Sequence, residues 1–518
     1  MGVDDPAAGA AAHADGSALV YGSPRGRRVL AATVLGSGLA QLDGTVVNVA
    51  LPRIGEDLGG GLTSLQWTLN AYTLTLSGLL LLGGSLGDRL GRRRIFVVGV
   101  LWFTLASVGC SLAPGTEVLI AMRALQGAGA ALLTPGSLAI LQASFRREDR
   151  AAAVGAWSGL GGVATAIGPV LGGLLVVVAP WGWRLIFLIN VPIAATVIVL
   201  SRKYIPESRD EEASGRLDVS GAILASFGLG ALVFGLTEGP ADGWSAVDLL
   251  ISAAGVVLLA IFVVLEGRRQ DPLLPLGLFR VRQFSASNLV TFAVYAALAG
   301  GLFLLPMQLQ LVAGFSPVAA GTATLPITVV MLLLSARMGR LSTRIGPRIP
   351  MTVGPIVAGA AMVWLSGIGA GSTYLGDVLV PMTVFGLGLS FTVAPLTSTV
   401  LASAPDHQAG IASAINNDVA RIAGLLAVAV LPVLAGITPA AYADPALLSA
   451  GFQRAVVIAG ILCAAGGVLA FATVRSASSE RRSPMQPPQT VPSAPRKTID
   501  PAVECAACPV ITPHIRPR

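Results

Sequence analysis

Apolar residues in this chain come in long unbroken runs, and charged residues gather between the runs. Fourteen runs are long enough to cross hydrocarbon about 30 Å thick as helices of about 20 residues. They fall near 29–51, 65–86, 95–113, 117–142, 152–178 and 184–202, then 218–237 and 247–266, then 285–312, 318–337, 350–369, 376–401, 410–437 and 451–474. The pattern predicts an all-α polytopic membrane protein. A charged loop from Arg202 to Arg216 separates the first six spans from the next two. The expected organisation is a disordered leader over 1–28, a six-helix bundle over 29–202, a linker with two extra helices over 203–284, a second six-helix bundle over 285–474, and a disordered tail over 475–518.

An internal repeat supports this division. Gly84, Leu86, Arg89, Gly91 and Arg93 recur with the same spacing as Gly339, Leu341, Arg344, Gly346 and Arg348. Each copy lies between the second and third spans of its bundle. Two parallel repeats related by an axis along the membrane normal place a transported substrate near mid-membrane, between the halves.

Composition agrees with lipid as the main solvent: 54% of residues are hydrophobic and 12% charged, with a mean hydropathy of +0.75. The 62 glycines suit closely packed membrane helices. A net charge of +7 raises the question of a nucleic-acid partner. The basic residues are spread between the spans in place of forming one patch, which argues against it. Of the 34 Lys and Arg, Arg53 and Arg184 lie in loops opposite the termini, and Arg123, Arg421 and Arg454 lie within spans. The rest share the side of the termini, so the positive-inside rule places both ends in the cytoplasm. Trp67, Trp181, Trp183 and Trp244 then fall at the outer interface, where indole rings are favoured.

Several function classes lose support. Residues 1–24 contain no apolar core of a cleavable signal. The four cysteines, Cys110, Cys463, Cys505 and Cys508, do not form a disulfide framework. Cys505, Cys508 and His514 are one ligand short of a tetrahedral zinc site, so no metal is expected. Three histidines and no nucleophile-and-base cluster offer no enzymatic constellation. There is no phosphate-binding loop of the Gly-x-x-x-x-Gly-Lys-Ser/Thr type, so no nucleotide or other cofactor is expected and a proton gradient is the expected energy source. No pattern in the chain bears on its oligomeric state. Its Ala- and Gly-rich composition points to a bacterial source and hence to the cytoplasmic membrane.

The candidate chemistry lies in ionisable residues inside apolar runs. Asp43 is an acid in the first span, at a cost of about 2.5–3.5 kcal/mol near mid-bilayer, so it is expected to face a cavity or a partner. Reversible protonation would remove its charge, and simple hydrogen bonding between helices is the alternative role. Arg123 in the fourth span keeps its charge and offers several donors. It fits either a fixed positive field beside an acid such as Asp43 or a clasp on backbone carbonyls. In the thirteenth span Asn416, Asn417, Asp418 and Arg421 form a polar cluster that either lines the cavity or closes on itself as an i, i+3 ion pair. Asp88 beside Arg89, Arg92 and Arg93 can act as a latch that pairs with the opposite bundle in one state. The repeat has Thr343 where Asp88 stands, so a single asymmetric latch is expected.

With these residues in place the chain resembles the 14-spanning drug:proton antiporter family of the major facilitator superfamily, over roughly residues 29–474. Leu42 to Pro52, holding Asp43 and Asn48, is similar to that family's first-helix signature, and Gly84 to Arg93 resembles the superfamily's gating motif. Arg123 resembles the fourth-helix arginine associated with proton transfer. Gly168, Pro169, Gly172 and Gly173 resemble the fifth-helix motif of antiporters, where proline and glycines allow a bend and close packing. Trp181 to Pro192 resembles the family's segment between helices five and six, for which interfacial anchoring is the simplest role. The resemblance implies the major facilitator fold, with two extra transmembrane helices, and export of a small lipophilic drug-like substrate in exchange for protons. Its alternative is proton-coupled uptake of a small metabolite. Relatives that export divalent cations carry an acid in the tenth helix; residues 318–336 contain none, which implies monovalent, neutral or zwitterionic cargo.

Overall fold

The computed structural model describes residues 19–209, 218–269, 272–405 and 408–474. All fourteen expected spans are helices: α1 (Pro24–Leu58), α2 (Leu62–Leu90), α3 (Arg92–Ser111), α4 (Thr116–Ser144), α5 (Arg147–Val176), α6 (Gly182–Tyr204), α7 (Val219–Pro240), α8 (Ala246–Glu266), α9 (Arg282–Val312), α10 (Pro317–Ile345), α11 (Arg348–Gly367), α12 (Tyr374–Ala402), α13 (Ala409–Leu434) and α14 (Pro445–Thr473). Among the described residues there is no strand, only a bridge between Leu19 and Phe145.

The helices overrun the apolar stretches because capping residues lie in the polar flanks. Ser23 accepts a hydrogen bond from the Gly26 amide, Pro24 occupies the first turn, and Gly59 ends α1 at φ 67°. Residues 19–28, expected to be disordered, are therefore ordered. Leu19 also bonds the chain at Ser144 and Arg146, and the Tyr21 amide donates to Asp149 at 3.0 Å. The expectations for the tail, including Cys505, Cys508 and His514, lie outside the described residues.

The same neighbours recur in each half. In the first bundle α4 packs on α2 and α3, α1 packs on α5 and α6, and α3 meets α6. In the second, α12 packs on α10 and α11, α9 on α13 and α14, and α11 meets α14. Shifting each helix number by eight converts one set into the other, so the short sequence repeat belongs to a repeat of the whole bundle. Helices α7 and α8 pack on each other, and α7 also touches α2 and α13. Arg269 joins the start of α7 to the end of α8 through Asp218, Glu266 and Ser220.

Helix ends sort onto two faces. The terminal face holds the start of α1 and the ends of α2, α4 and α6, and the far face holds the opposite ends. Apolar packing differs between these levels. Leu42, Val46, Leu51, Leu62 and Leu65 share one continuous core with the second bundle, including Val290, Leu304 and Met382. Val29, Leu39, Phe96 and Phe145, nearer the terminal face, form a separate core within the first bundle. The bundles are thus fused toward the far face.

Candidate functional site

Asp43 and Arg123 meet in the interior of the first bundle, both side chains fully buried. Arg123 Nη1 donates to one Asp43 oxygen. The other oxygen accepts from Gln126 Nε2 at 2.8 Å and Asn190 Nδ2 at 3.2 Å. Ser107 Oγ lies against both amides, at 2.8 Å from Gln126 and 3.3 Å from Asn190. Arg123 Nε donates to the Thr68 carbonyl at 2.9 Å, and its guanidinium lies 4.3 Å from the Tyr72 ring centroid. Five helices, α1, α2, α3, α4 and α6, therefore converge on one ion pair. Arg123 makes both of the contacts considered for it, one to the acid and one to a backbone carbonyl.

The local fold explains this convergence. Helix α6 is three helical pieces, Gly182–Arg184, Leu185–Leu188 and Asn190–Tyr204. The joint turns Asn190 into the bundle. Trp183 is not an interfacial anchor: it is fully buried, and its indole donates to Asp57 at 2.9 Å. Arg184 bonds the Ser111 and Ala113 carbonyls, each at 2.8 Å. These contacts seat the segment as a plug in the first bundle, while Trp181 remains exposed. Gln126, Asn190 and Ser107 carry no charge and do not stand out among the apolar runs. The available signal was a polar side chain with no interfacial position to occupy.

Asp43 is neutralised by Arg123 and held by amide donors, with no exposed surface. Leaving either charge alone in such a setting costs several kcal/mol. Arg123 Nη2 and Asn190 Oδ1 are buried without partners, so the network retains unused hydrogen-bonding capacity. Asn48 does not join it: it is half-buried, and its Oδ1 has no partner.

The fifth-helix motif lies where the bundles touch. A Cβ at Gly168 or Gly172 would meet Thr45 or Val46 of α1, and one at Gly173 would overlap the Pro317 carbonyl of α10. Reciprocally, a Cβ at Gly321 would overlap the Pro169 carbonyl. Two backbones from opposite bundles thus pack without intervening side chains. Toward the terminal face, Gly155, Gly159 and Gly162 of the same helix face open space.

At the terminal face the gating motif makes its contacts within its own half. Asp88 pairs with Arg92 at 2.8 Å. Arg93 approaches Glu207 at 3.6 Å and donates to the Ile205 carbonyl at 3.0 Å. Gly91 adopts φ 112°, with Glu207 where a Cβ would stand. Gly84 rests beside Pro135 of α4. Arg89 is half-buried. Among the described residues Asp88 makes no ion pair across the bundles, so the expected latch is not engaged among them.

The α13 cluster divides. Asn416 points into the second bundle and donates to Asn288 at 3.0 Å and Thr291 at 2.7 Å. Asn417 is exposed. Asp418 and Arg421 do not form the self-contained ion pair considered from their spacing: among the described residues no such contact falls within 4.0 Å, and Asp418 Oδ1 is buried without a partner.

Comparison with known proteins accords with this architecture. The family described as Major Facilitator Superfamily matches residues 33–428. The tetracenomycin C resistance and export protein of Streptomyces glaucescens is 36% identical over 406 residues, covering 78% of this chain and 75% of the relative. The puromycin resistance protein pur8 of Streptomyces alboniger is 39% identical, covering 78% and 81%. The methylenomycin A resistance protein of Bacillus subtilis is 34% identical, covering 86% and 96%. Among solved structures, a bacterial homologue of the human lysosomal transporter Spinster, inward-facing and unoccupied, aligns with a TM-score of 0.65 at 18% identity, covering 89% of this chain and 99% of that one.

Proposed function

We propose that this chain, which belongs to the Major Facilitator Superfamily, exports small lipophilic antibiotics or drug-like molecules across the bacterial cytoplasmic membrane in exchange for protons. The observation that carries the coupling is the buried Asp43–Arg123 pair and its amide donors. The direction of transport draws on relatives named for antibiotic resistance and export.

With both termini in the cytoplasm, as the basic residues favour, the far face is external. The fused core and the α5–α10 contact then make this an externally closed state. Substrate enters between the bundles from the cytoplasm while Asp43 is ionised and paired. After the bundles rock, a proton from outside neutralises Asp43, frees Arg123 to reorganise, and favours release and return. Proton loss to the cytoplasm restores the pair. Asp88, now held by Arg92, pairs across the bundles in the alternate state. Asn48, Asn417, Asp418 and Arg421 border the substrate path.

Each proton moved through 100 mV supplies about 2.3 kcal/mol. For a neutral or zwitterionic substrate that sustains roughly a fifty-fold gradient, since about 1.4 kcal/mol corresponds to a factor of ten.

The test is accumulation of puromycin, tetracenomycin C and methylenomycin A in an efflux-deficient host. Expression should lower the retained amount of at least one compound, and a protonophore should restore it. Raised accumulation that depends on the gradient would instead identify an uptake symporter.

A further inference from the structure

We infer that Gln66 is a further working residue of the transport cycle: it closes the far-face gate by donating to a carbonyl that Pro432 leaves without a helical partner. Proline has no amide hydrogen, so within a helix the carbonyl four residues earlier loses its donor. Pro432 lies inside α13, and the carbonyl concerned belongs to Val428. A carbonyl buried without a donor is costly in apolar surroundings.

Gln66 of α2 meets that need from the other bundle. Its Nε2 lies 2.7 Å from the Val428 carbonyl oxygen and 3.4 Å from that of Ala429. The Gln66 side chain is 3% exposed, and Leu62 and Leu65 flank it in the fused core. Elsewhere between the bundles, Gln310 of α9 donates to the Val49 carbonyl of α1 at 2.9 Å, a second amide-to-backbone crossing. Gln66 is distinguished by its acceptor, which α13 cannot satisfy by itself.

The bond is state-dependent because α2 and α13 belong to different bundles. When the far face opens, the amide and the carbonyl separate into a wet cleft and both are hydrated. Exchange of one buried hydrogen bond for hydration favours closure by about tenfold, roughly 1.4 kcal/mol. Proline thus supplies a specific acceptor as well as a helix interruption. The role rests on the alternating-access part of the proposed function, but it is readable without substrate or a proton gradient.

The test is a double-mutant cycle read as gate distance. Spin labels at Leu112 and Leu447, exposed far-face positions in opposite halves, would be placed in full-length protein whose four cysteines are replaced by alanine. Distances would be measured in lipid nanodiscs. Gln66→Met retains length and loses the donor, and should raise the open-to-closed ratio about tenfold. Pro432→Ala returns an amide to the Val428 carbonyl and should raise the ratio similarly. In the Pro432→Ala background, Gln66→Met should add less than about twofold. An unchanged distribution in Gln66→Met, or the same tenfold effect in both backgrounds, overturns the inference. If Gln66→Met does not fold, an unchanged gate in Pro432→Ala overturns it equally. Loss of drug export with this cycle intact would remove the export reading and leave the gate assignment standing.

Discussion

Asp43→Asn separates the structural cost of the central ion pair from its part in transport. Asparagine occupies nearly the same volume but leaves Arg123 as an uncompensated charge with no exposed surface. Removing one member of a buried pair costs about 3–5 kcal/mol. The amide oxygen can still accept from Arg123 or Gln126, recovering about 1–2 kcal/mol. The Thr68 carbonyl and Tyr72 ring hold Arg123 before and after the change and largely cancel. Net destabilisation should therefore be about 1–4 kcal/mol. Adding Arg123→Gln removes the stranded charge, and the neutral double variant should return to within about 1 kcal/mol of the parent. Thermal unfolding in one detergent, followed by tryptophan fluorescence, gives the stability order. Drug-dependent proton flux in proteoliposomes gives the coupling. Both variants should lose drug-dependent proton movement although only the single one is destabilised. A single variant as stable as the parent, or a double variant as unstable as the single one, would refute the electrostatic reasoning.

Other substitutions probe the surroundings. Asn190→Leu removes a donor to Asp43 and a neighbour of Ser107. It should slow proton-coupled export about tenfold while Asn190→Gln retains more activity, measured as initial rates in inverted vesicles. Gly173→Val places a side chain against the Pro317 carbonyl and should hold the far-face gate ajar, read as faster labelling of a cysteine introduced at Pro317. Trp183→Ala should cost about 3–5 kcal/mol, as for an aromatic residue of a packed core; an effect below about 1 kcal/mol in the same unfolding assay would return Trp183 to the interfacial role.

The spans were legible because hydrocarbon demands long apolar segments and most of the charges lie outside them. Their ends were less so: Ser23 and Gly59 extend α1 by local hydrogen bonding that hydropathy does not register. Asp43 and Arg123 stood out because an ionised side chain inside an apolar run is conspicuous. Asn190 did not, because its role depends on the break in α6 that turns it toward Asp43. Trp183 illustrates the same limit, since exposed and buried indoles near a helix start read alike until Asp57 is found beside one. Asp418 and Arg421 show that helical spacing permits an ion pair without requiring it. Pro432 was not singled out in the sequence, because the donor that gives it significance, Gln66, comes from the other half of the chain.

Proton-coupled export is measured most directly with purified protein in liposomes with an acidic lumen, with orientation determined by proteolysis of the tail. Drug uptake and lumenal pH would be recorded together for the parent and Asp43→Asn. In the inside-out population, drug entry should be accompanied by proton exit, with the linkage absent in the variant. Drug and protons moving in the same direction, or linkage undiminished in Asp43→Asn, would contradict this coupling.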